Sequence, residues 1–304
     1  MAQAIFKSWF VDFEPGKAKI AALEAGGSED DALLAAMQAI AGSALFPTDA
    51  ADADAQTQLA RLQAEHPEQY ATLRATAELF PSARQESELG EIPEGWEAKR
   101  VGKYLDTISK TYPLKKVKEV VFLNTGDIKE GRFLHANKSL TEGLPGQAKK
   151  SIKKHDILYS EIRPQNKRYA YVDFEADDYV VSTKLMVLRS SGEVDSRFLY
   201  FLLTQKDSID YLQMMAESRS GTFPQITFDV LEKINFLGPV DNKLLNYFAK
   251  FFLLPFMNNS FEIVQQNKNL EELRDTLLPK LLSGELSLAA AEEQLTYAVE
   301  PAHV

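Results

Sequence analysis

Residues 156–174 read DILYSEIRPQNKRYAYVDF, and this stretch carries the clearest fold signal of the chain. Residues 156–162 and 169–174 are rich in Ile, Leu, Tyr and Val, side chains that favour β-strands. Between them, residues 163–168 are polar and basic, and Pro164 stiffens the backbone there. The stretch therefore predicts two strands, with a cationic loop at the end of the first.

Similar short elements surround this stretch between residues 96 and 240. Further strands are predicted at 120–124, 180–188 and 233–237. Helices are predicted at 196–204 and 206–215, and long polar loops at 125–155 and 217–226. This alternation predicts an α+β fold, with one globular domain of short strands and helices.

A helical region is predicted before this domain. A short first helix ends before Pro15, and two Ala- and acid-rich helices follow at 29–45 and 55–79, the second broken or kinked near Pro67. The first helix has one wide apolar face, which is formed by Ile5, Phe6, Trp9, Phe10 and Phe13. Such a face has to be covered by other apolar groups.

A long helix is predicted after the domain, from residue 242 to about 282, with Ser283-Gly284 as its stop. Pro255 either kinks this helix or marks its true start. Two rows of side chains repeat every seven residues: Phe256, Ile263, Leu270 and Leu277, and beside them Phe252, Asn259, Gln266 and Leu273. Interlocked heptad rows predict a coiled-coil-like seam.

The composition divides the chain into five predicted segments. They are the end of a helix region (1–15), an Ala- and acid-rich helical spacer (16–95), the α+β domain (96–240), the long helix (241–284) and an acidic tail (285–304). The residues 87–96, SELGEIPEGW, mark the entry into the α+β domain because Gly and Pro punctuate them.

Basic residues are concentrated in one part of the chain, although its net charge is negative. The formal net charge is −10, but residues 110–168 contain 14 Lys and Arg against six Asp and Glu. A basic block in an acidic chain predicts a surface for a polyanion such as DNA. Because the chain has no cysteine and starts with neither a signal peptide nor a membrane span, a cytoplasmic location is expected.

Motifs for catalysis are missing from the sequence. It contains no phosphate-binding G-x-x-x-x-G-K-[ST] loop, no G-x-S-x-G nucleophile motif, and no His pair or cysteine set that would ligate a metal. Asp127-Ile128-Lys129 fits the D-x-K tripeptide of Mg²⁺-dependent nucleases, with Glu119 or Asp106 upstream. We expect no catalytic residue, no metal and no cofactor, and keep the nuclease as an alternative.

Five segments carry a resemblance to a known family. They are MAQAIFKSWFVDFEPGKAK (1–19), ELFPSARQESELGEIPEGWE (78–97), DILYSEIRPQNKR (156–168), SGTFPQITFDVLEKINF (220–236) and QQNKNLEELRDTLLPKLLSGEL (265–286). Together they resemble the DNA-specificity (S) subunit of type I restriction-modification systems, in particular its second half, with one target-recognition domain and the conserved helices.

This resemblance implies a subunit that does not itself methylate or cut. It implies that the α+β domain reads a half-site of double-stranded DNA in the major groove. The expected partners are a methyltransferase subunit and, through it, a restriction subunit. The long helix would serve as a docking surface, and two half-subunits would form a homodimer that restores two recognition domains.

Candidate site residues follow from the chemistry that DNA contacts need. Arg, Lys, Asn and Gln reach base edges, and Lys, Arg, Ser and Thr reach phosphates. The predicted DNA-binding residues are Lys149, Lys150, Lys153, Lys154, Arg163, Gln165, Asn166, Lys167, Arg168, Arg219, Ser220, Thr222 and Gln225. The predicted partner interface comprises Ile5, Phe6, Trp9, Phe10, Phe256, Ile263, Leu270, Leu273, Leu277 and Leu281. A coiled-coil scaffold that binds no DNA stays open as a further alternative.

Overall fold

The computed structural model describes residues 2–41, 54–88 and 90–284. The chain divides into one unit at 1–251 and a second at 252–304. The helices are α1 (Ala2–Phe10), α2 (Glu14–Glu24), α3 (Glu29–Ala41), α4 (Ala55–Glu65), α5 (Pro67–Glu78), α6 (Ser196–Leu203), α7 (Lys206–Arg219), α8 (Phe228–Leu231), α9 (Lys243–Phe248) and α10 (Leu254–Ser283). No described helix is both long and apolar enough to cross a bilayer.

Within the described residues, the strands form two four-stranded sheets and three two-stranded ones. They are β1 (Arg84–Ser87), β2 (Gly90–Pro93), β3 (Trp96–Arg100), β4 (Leu105–Thr107), β5 (Glu119–Leu123), β6 (Ile128–Lys129), β7 (Arg132–Phe133), β8 (Lys138–Leu140), β9 (Ala148–Ser151), β10 (Ile157–Ser160), β11 (Tyr169–Tyr171), β12 (Tyr179–Ser182), β13 (Leu185–Ser190) and β14 (Asn235–Pro239). The fold is thus a mixture of helices and strands, as the α+β prediction expects.

The first large sheet has the order β11-β10-β13-β4 and is antiparallel throughout. The second has the order β8-β5-β12-β9, in which only the β5–β12 pair is parallel. Both sheets contribute to one apolar core, with Leu123 and Val181 from the second sheet and Leu158 and Val187 from the first. On its other face, the first sheet contacts α6, where Tyr200 packs against the rings of its tyrosines.

Most strand and helix predictions are confirmed, and the exceptions have clear causes. The predicted strand 180–188 is two strands, because the chain passes from one sheet to the other at Thr183 and Lys184. The predicted polar loop 125–155 contains β6 to β9 and is wrong as a loop. The helix predicted from 242 to 282 is helical from residue 243 to residue 283, but a π-helical turn at Ala249–Leu253 interrupts its α-helical hydrogen bonds between α9 and α10.

The N-terminal helices form a core of their own. Leu34, Met37, Leu59 and Leu73 belong to this cluster, which α3, α4 and α5 share. The break predicted near Pro67 is confirmed, because α4 ends at Glu65 and Pro67 begins α5. Sequence analysis missed α2, which has Pro15 in its first turn. The end of the predicted helix 29–45 and the acidic tail 285–304 lie outside the described residues.

The apolar face of α1 is buried within its own chain. Phe6, Trp9 and Phe10 are at most 8% exposed. Their rings contact Phe198 of α6 and Phe248 of α9 at centroid distances of 5.3–6.1 Å. The assignment of these three side chains to a partner interface is therefore corrected, because a partner cannot reach them; Ile5 is half-buried.

Helix α10 differs in this respect. Three members of its predicted seam, Phe256, Ile263 and Leu270, are 50%, 56% and 43% exposed. Leu273 and Leu281 are half-buried, and Leu277 is buried. Pro255 lies in the first turn of α10, where a missing backbone N–H does no harm. Of the two alternatives given for Pro255, a kink or the start of the helix, the boundary of α10 fits the start.

Candidate nucleic-acid interface

Two of the predicted site segments lie side by side in the structure. Residues 163–168 form the basic loop between β10 and β11, and residues 220–225 form the loop that follows α7. An antiparallel bridge between Ile162 and Gln225 joins them. The Arg163 amide donates to the Pro224 carbonyl at 3.1 Å, and the Ile226 amide donates to the Glu161 carbonyl at 2.8 Å. We call these two segments together the loop cluster.

The basic loop has an unusual backbone at both ends. Arg163 and Lys167 adopt left-handed conformations with φ of 42° and 53°, and residues 164–166 make one 3-10 turn between them. Left-handed backbone costs a non-glycine residue about 1–2 kcal/mol, so the surroundings have to hold it in place. The buried Gln213 of α7 does so, because its Oε1 accepts from the Gln165 amide at 3.2 Å. The Gln213 Nε2 in turn donates to Glu217 at 2.7 Å.

The loop presents several predicted residues to solvent. Arg163, Gln165, Asn166 and Lys167 are exposed. The Arg163 guanidinium lies 3.5 Å from the Thr222 carbonyl of the other loop, and Lys167 pairs with Glu130 at 3.6 Å. Guanidinium and amide groups on a fixed backbone are suited to base edges, which require donors and acceptors in defined directions.

Arg168 has a different environment. It is half-buried, and its Nη1 donates to the Thr125 carbonyl at 2.8 Å. This contact joins the basic loop to the turn that precedes β6. Arg168 therefore supports the loop through this contact, and its role as a base-reading residue stays a prediction.

The second loop contributes smaller polar groups. Ser220 is half-buried, Thr222 is exposed, and the Ser220 Oγ accepts from the Phe223 amide at 3.2 Å. Arg219 donates to Thr227 and to Asp229, both at 2.8 Å. Hydrogen bonds from Thr227 and Arg219 lower the pKa of the Asp229 carboxyl group. Arg219 thus has partners within the chain, whereas Thr222 is open to a ligand.

Gln225, the last residue of this loop, is half-buried and contacts Lys184. The Lys184 Nζ lies 3.2 Å from Gln225 Oε1 and 3.3 Å from Glu161 Oε2. This lysine comes from the passage between β12 and β13, so it brings a third segment of the chain to the loop cluster.

The predicted lysine loop is instead a strand. Ala148–Ser151 form β9, which pairs with β12. Lys149 is exposed, as a phosphate contact requires. Lys150 is half-buried, and its Nζ donates to the carbonyls of Thr183 and Leu185 at 3.0 and 2.8 Å. Burial lowers the pKa of the Lys150 ammonium group. Its assignment to phosphate is corrected, because the group is used within the fold.

Lys153 and Lys154 lie far from the loop cluster. Both precede β10, whereas the basic loop follows it, so the length of a strand separates them. Both are exposed, and Lys154 pairs with Glu175 at 3.4 Å. The structure thus divides the predicted lysine strip between two sheets, with Lys149 on β9 of the second sheet and Lys153 and Lys154 just before β10 of the first.

Lys184 and Gln213 are the site residues that sequence analysis missed. Gln213 is 6% exposed on a helix whose buried positions include Ile209, Leu212 and Ala216. A glutamine among these apolar positions was the available signal, because a buried amide needs partners. Lys184 had no comparable signal, since its contacts depend on three segments that are distant in sequence.

The tripeptide that suggested a nuclease has a structural role. The Asp127 carboxylate accepts from the Asn124 amide at 2.7 Å and closes a capping box on the turn before β6. His135 Nε2 lies 3.5 Å from the same carboxylate. Within the described ranges, no group of three or more acidic or histidine side chains is placed to hold a metal ion.

Comparisons with known proteins identify the domain that carries these loops. Residues 93–243 match the model of the type I restriction modification DNA specificity domain. The type I restriction enzyme HindI specificity subunit of Haemophilus influenzae is 41% identical over 187 residues, which are 60% of this chain and 39% of that protein. The chain therefore spans well under half the length of this curated relative.

Solved structures that match the chain in part include two specificity subunits. The HsdS subunit from Thermoanaerobacter tengcongensis is 22% identical with a TM-score of 0.47, over 64% of this chain and 49% of the other. The type I S subunit from M. genitalium is 17% identical with a TM-score of 0.38, over 62% of this chain and 46% of the other.

The domain match and the sequence identity define the class. Residues 93–243 are a type I restriction modification DNA specificity domain, and the chain is similar over 187 residues to a type I specificity subunit. The resemblance seen in the sequence is confirmed.

Proposed function

We propose that this chain is a sequence-reading subunit of a type I restriction-modification complex. The loop cluster contacts the base edges of a half-site in the major groove of double-stranded DNA. The chain supplies specificity and no catalysis, and it directs a methyltransferase subunit to the site. A restriction subunit joins through the methyltransferase.

The main support for this proposal is the contact between the two segments of the loop cluster. Two segments 57 residues apart in number, beginning at Arg163 and Ser220, meet through a backbone bridge and amide hydrogen bonds. Together they expose Arg163, Gln165, Asn166 and Thr222 on a fixed frame. Direct readout needs such groups held in defined directions, and Lys149 adds a cation for a phosphate.

Neither alternative gains support from the structure. A Mg²⁺-dependent nuclease would need a free carboxylate at Asp127, whose oxygen is used in a capping box. A scaffold that binds no DNA would leave the exposed side chains of the loop cluster without a role.

We propose further that α10 is a coiled-coil-like docking helix. Phe256, Ile263 and Leu270 repeat every seven residues and are exposed. Burying one such side chain is worth about 1.5–3 kcal/mol, so an antiparallel pairing of two copies would be stable. In sedimentation at micromolar concentration we expect a dimer, and a monomer for Leu270→Glu. This pairing would be contradicted if the wild-type chain is monomeric on its own and only one copy of it is present in the complex with the methyltransferase subunit.

The function is tested by selecting bound fragments from random double-stranded DNA with the complex of chain and methyltransferase subunit. We expect one enriched motif and a linear fall of log affinity with log salt. Enrichment of no motif, or Mg²⁺-dependent cleavage by the chain alone that is lost in Asp127→Ala, would contradict the proposal.

A further inference from the structure

The β6–β7 hairpin lies next to the basic loop. At its tip, the Glu130 amide donates to the Lys167 carbonyl at 2.8 Å, and the Gly131 amide donates to the Tyr169 carbonyl at 2.9 Å. The Lys167 ammonium group also pairs with the Glu130 carboxylate at 3.6 Å. Backbone and side-chain contacts thus join the tip of the β6–β7 hairpin to the end of the basic loop.

The base of the β6–β7 hairpin is held as well. Arg168 of the basic loop donates to the Thr125 carbonyl at 2.8 Å, in the turn that precedes β6. The Leu134 amide, directly after β7, donates to the Asp127 carbonyl at 2.9 Å and closes the base. The β6–β7 hairpin therefore has a fixed position beside the loop cluster.

The turn of this hairpin sets the residues on either side of it opposite each other. Glu130 and Gly131 have φ of 48° and 86°, the positive values that a two-residue hairpin turn requires. A side chain at residue 131 would also collide with α6, because a Cβ atom there would lie 2.8 Å from the Tyr200 hydroxyl group. Lys129 and Arg132, which flank the turn, are direct cross-strand partners.

The two cross-strand pairs of the hairpin have different surroundings. Ile128 pairs with Phe133, and Lys129 pairs with Arg132. Ile128 is fully buried, and Phe133 packs against the core that both large sheets share. Because successive side chains of a strand point to opposite faces, Lys129 and Arg132 share the outer face, and both are exposed.

Two cations in this arrangement repel each other unless an anion lies between them. Cβ atoms directly opposite in an antiparallel pair are about 4.5–5.5 Å apart, and like charges there destabilise the pair. Within the described part of the chain, neither Lys129 nor Arg132 forms an ion pair, because the acid between them in sequence, Glu130, pairs with Lys167. A phosphate group accepts charge-assisted hydrogen bonds from an ammonium and a guanidinium group at once.

We propose that Lys129 and Arg132 form a clamp for one phosphate of the DNA backbone, beside the base pairs that the loop cluster reads. This inference rests on the proposed function and adds a binding site to it. Phosphate contacts fix the register of a protein on the duplex, and a clamp joined to the basic loop fixes the register of that loop. Lys129, which the sequence offered as part of a nuclease tripeptide, holds a phosphate and takes no part in cleavage.

The test uses duplexes that carry the selected motif, in each of which one phosphate is replaced by an uncharged methylphosphonate. Their affinity is measured for the complex of chain and methyltransferase subunit. The clamp variant is the double substitution Lys129→Gln and Arg132→Gln. The matched control is Lys153→Gln with Lys154→Gln, which removes the same two charges from exposed positions before β10.

We expect one methylphosphonate position to report the clamp. There the wild-type complex should lose affinity roughly fivefold at about 0.15 M salt, the contribution of one phosphate with a salt slope of about 0.9. The clamp variant should show no loss at that position and unchanged losses at the others. Its negative salt slope should decrease in magnitude by about 0.9, since one phosphate is released. The control should behave as the wild type.

Urea unfolding separates this role from a structural one. Because the two opposed charges repel each other, the urea midpoint of the clamp variant should equal or exceed that of the wild type. A lower midpoint would contradict the argument from repulsion, on which the clamp rests.

Two binding results would overturn the inference and leave the proposed function standing. One is a set of methylphosphonate effects that is the same for the clamp variant and the wild type. The other is a salt slope that decreases in magnitude by about 1.8, because the two cations then contact separate phosphates. A wild-type complex that enriches no motif contradicts both the inference and the proposed function.

Discussion

The two ends of the β10–β11 hairpin carry basic side chains in different surroundings. At one end, the loop 163–168 is bridged to the loop 220–225 and held by Gln213. At the other end, Lys153 and Lys154 are exposed beside Glu175. Basic residues alone therefore do not define the site. We propose that the end at which the loops 163–168 and 220–225 are bridged is the one that reads bases.

Arg163→Ala is expected to have the largest effect. Its guanidinium is exposed at the fixed end, where a bidentate contact with guanine O6 and N7 is worth about 1–3 kcal/mol. Affinity for the selected motif should fall accordingly, with little change on random DNA. Competition binding against both DNAs measures the difference, and Arg100→Ala, an exposed arginine of β3, is the control. An equal loss on both DNAs would assign Arg163 to phosphate.

Arg168→Ala is expected to affect stability more than sequence preference. Loss of its hydrogen bond to the Thr125 carbonyl removes a charged donor from a half-buried acceptor, worth about 1–2 kcal/mol of unfolding free energy. Urea unfolding measures this, with the exposed Arg132→Ala as the control. If Arg168→Ala relaxes one position of the selected motif without destabilising the chain, Arg168 reads a base after all.

Lys149→Ala should have a smaller and sequence-independent effect. Lys149 is exposed on β9, beside the segment that carries Lys184. Log affinity decreases linearly with log salt concentration. When a protein no longer neutralises one phosphate of B-DNA, the magnitude of this negative slope decreases by about 0.9. Titrations at several salt concentrations on selected and random DNA should show the same change. A change in the selected motif would instead mean that Lys149 contacts a base.

The double variant Lys153→Ala and Lys154→Ala should have the smallest effect. Both lysines lie roughly 14 Å or more from the basic loop, since the four residues of β10 rise about 3.4 Å each. Their replacement should leave both the motif and the salt slope unchanged in the same titrations. If the magnitude of the negative salt slope decreases by about 1.8, DNA extends along the hairpin to this end.

Sequence analysis predicted the strands and the basic loop because their signals are local. Residues 157–160 and 169–171 are rich in Ile, Leu and Tyr, and the polar segment between them contains a proline. It missed strand β9, whose sequence AKKS has two lysines and no alternation of apolar residues. This strand forms by pairing with β12, some 30 residues further along the chain. Pairing between distant segments has no local pattern.

The apolar helices α1 and α10 show a similar limit. In both, the spacing of apolar side chains indicates a face that has to be covered, and this spacing is the same whether the cover is the chain itself or a partner. Trp9 of α1 is buried against Phe80 and Phe248, whereas Phe256 and Ile263 of α10 are exposed. Periodicity thus predicted both faces, but for α1 it did not predict that the chain itself covers the face, and for α10 the cover stays a prediction.

The central claim is tested most directly by photocrosslinking from the two ends of the hairpin. A photoreactive amino acid is placed at Gln165 in one variant and at Lys153 in the other, both exposed positions. Each variant is then bound, with the methyltransferase subunit, to DNA that carries the selected motif. We predict crosslinks from position 165 to bases within the motif and none from position 153. Base crosslinks from position 153, with none from position 165, would contradict the account.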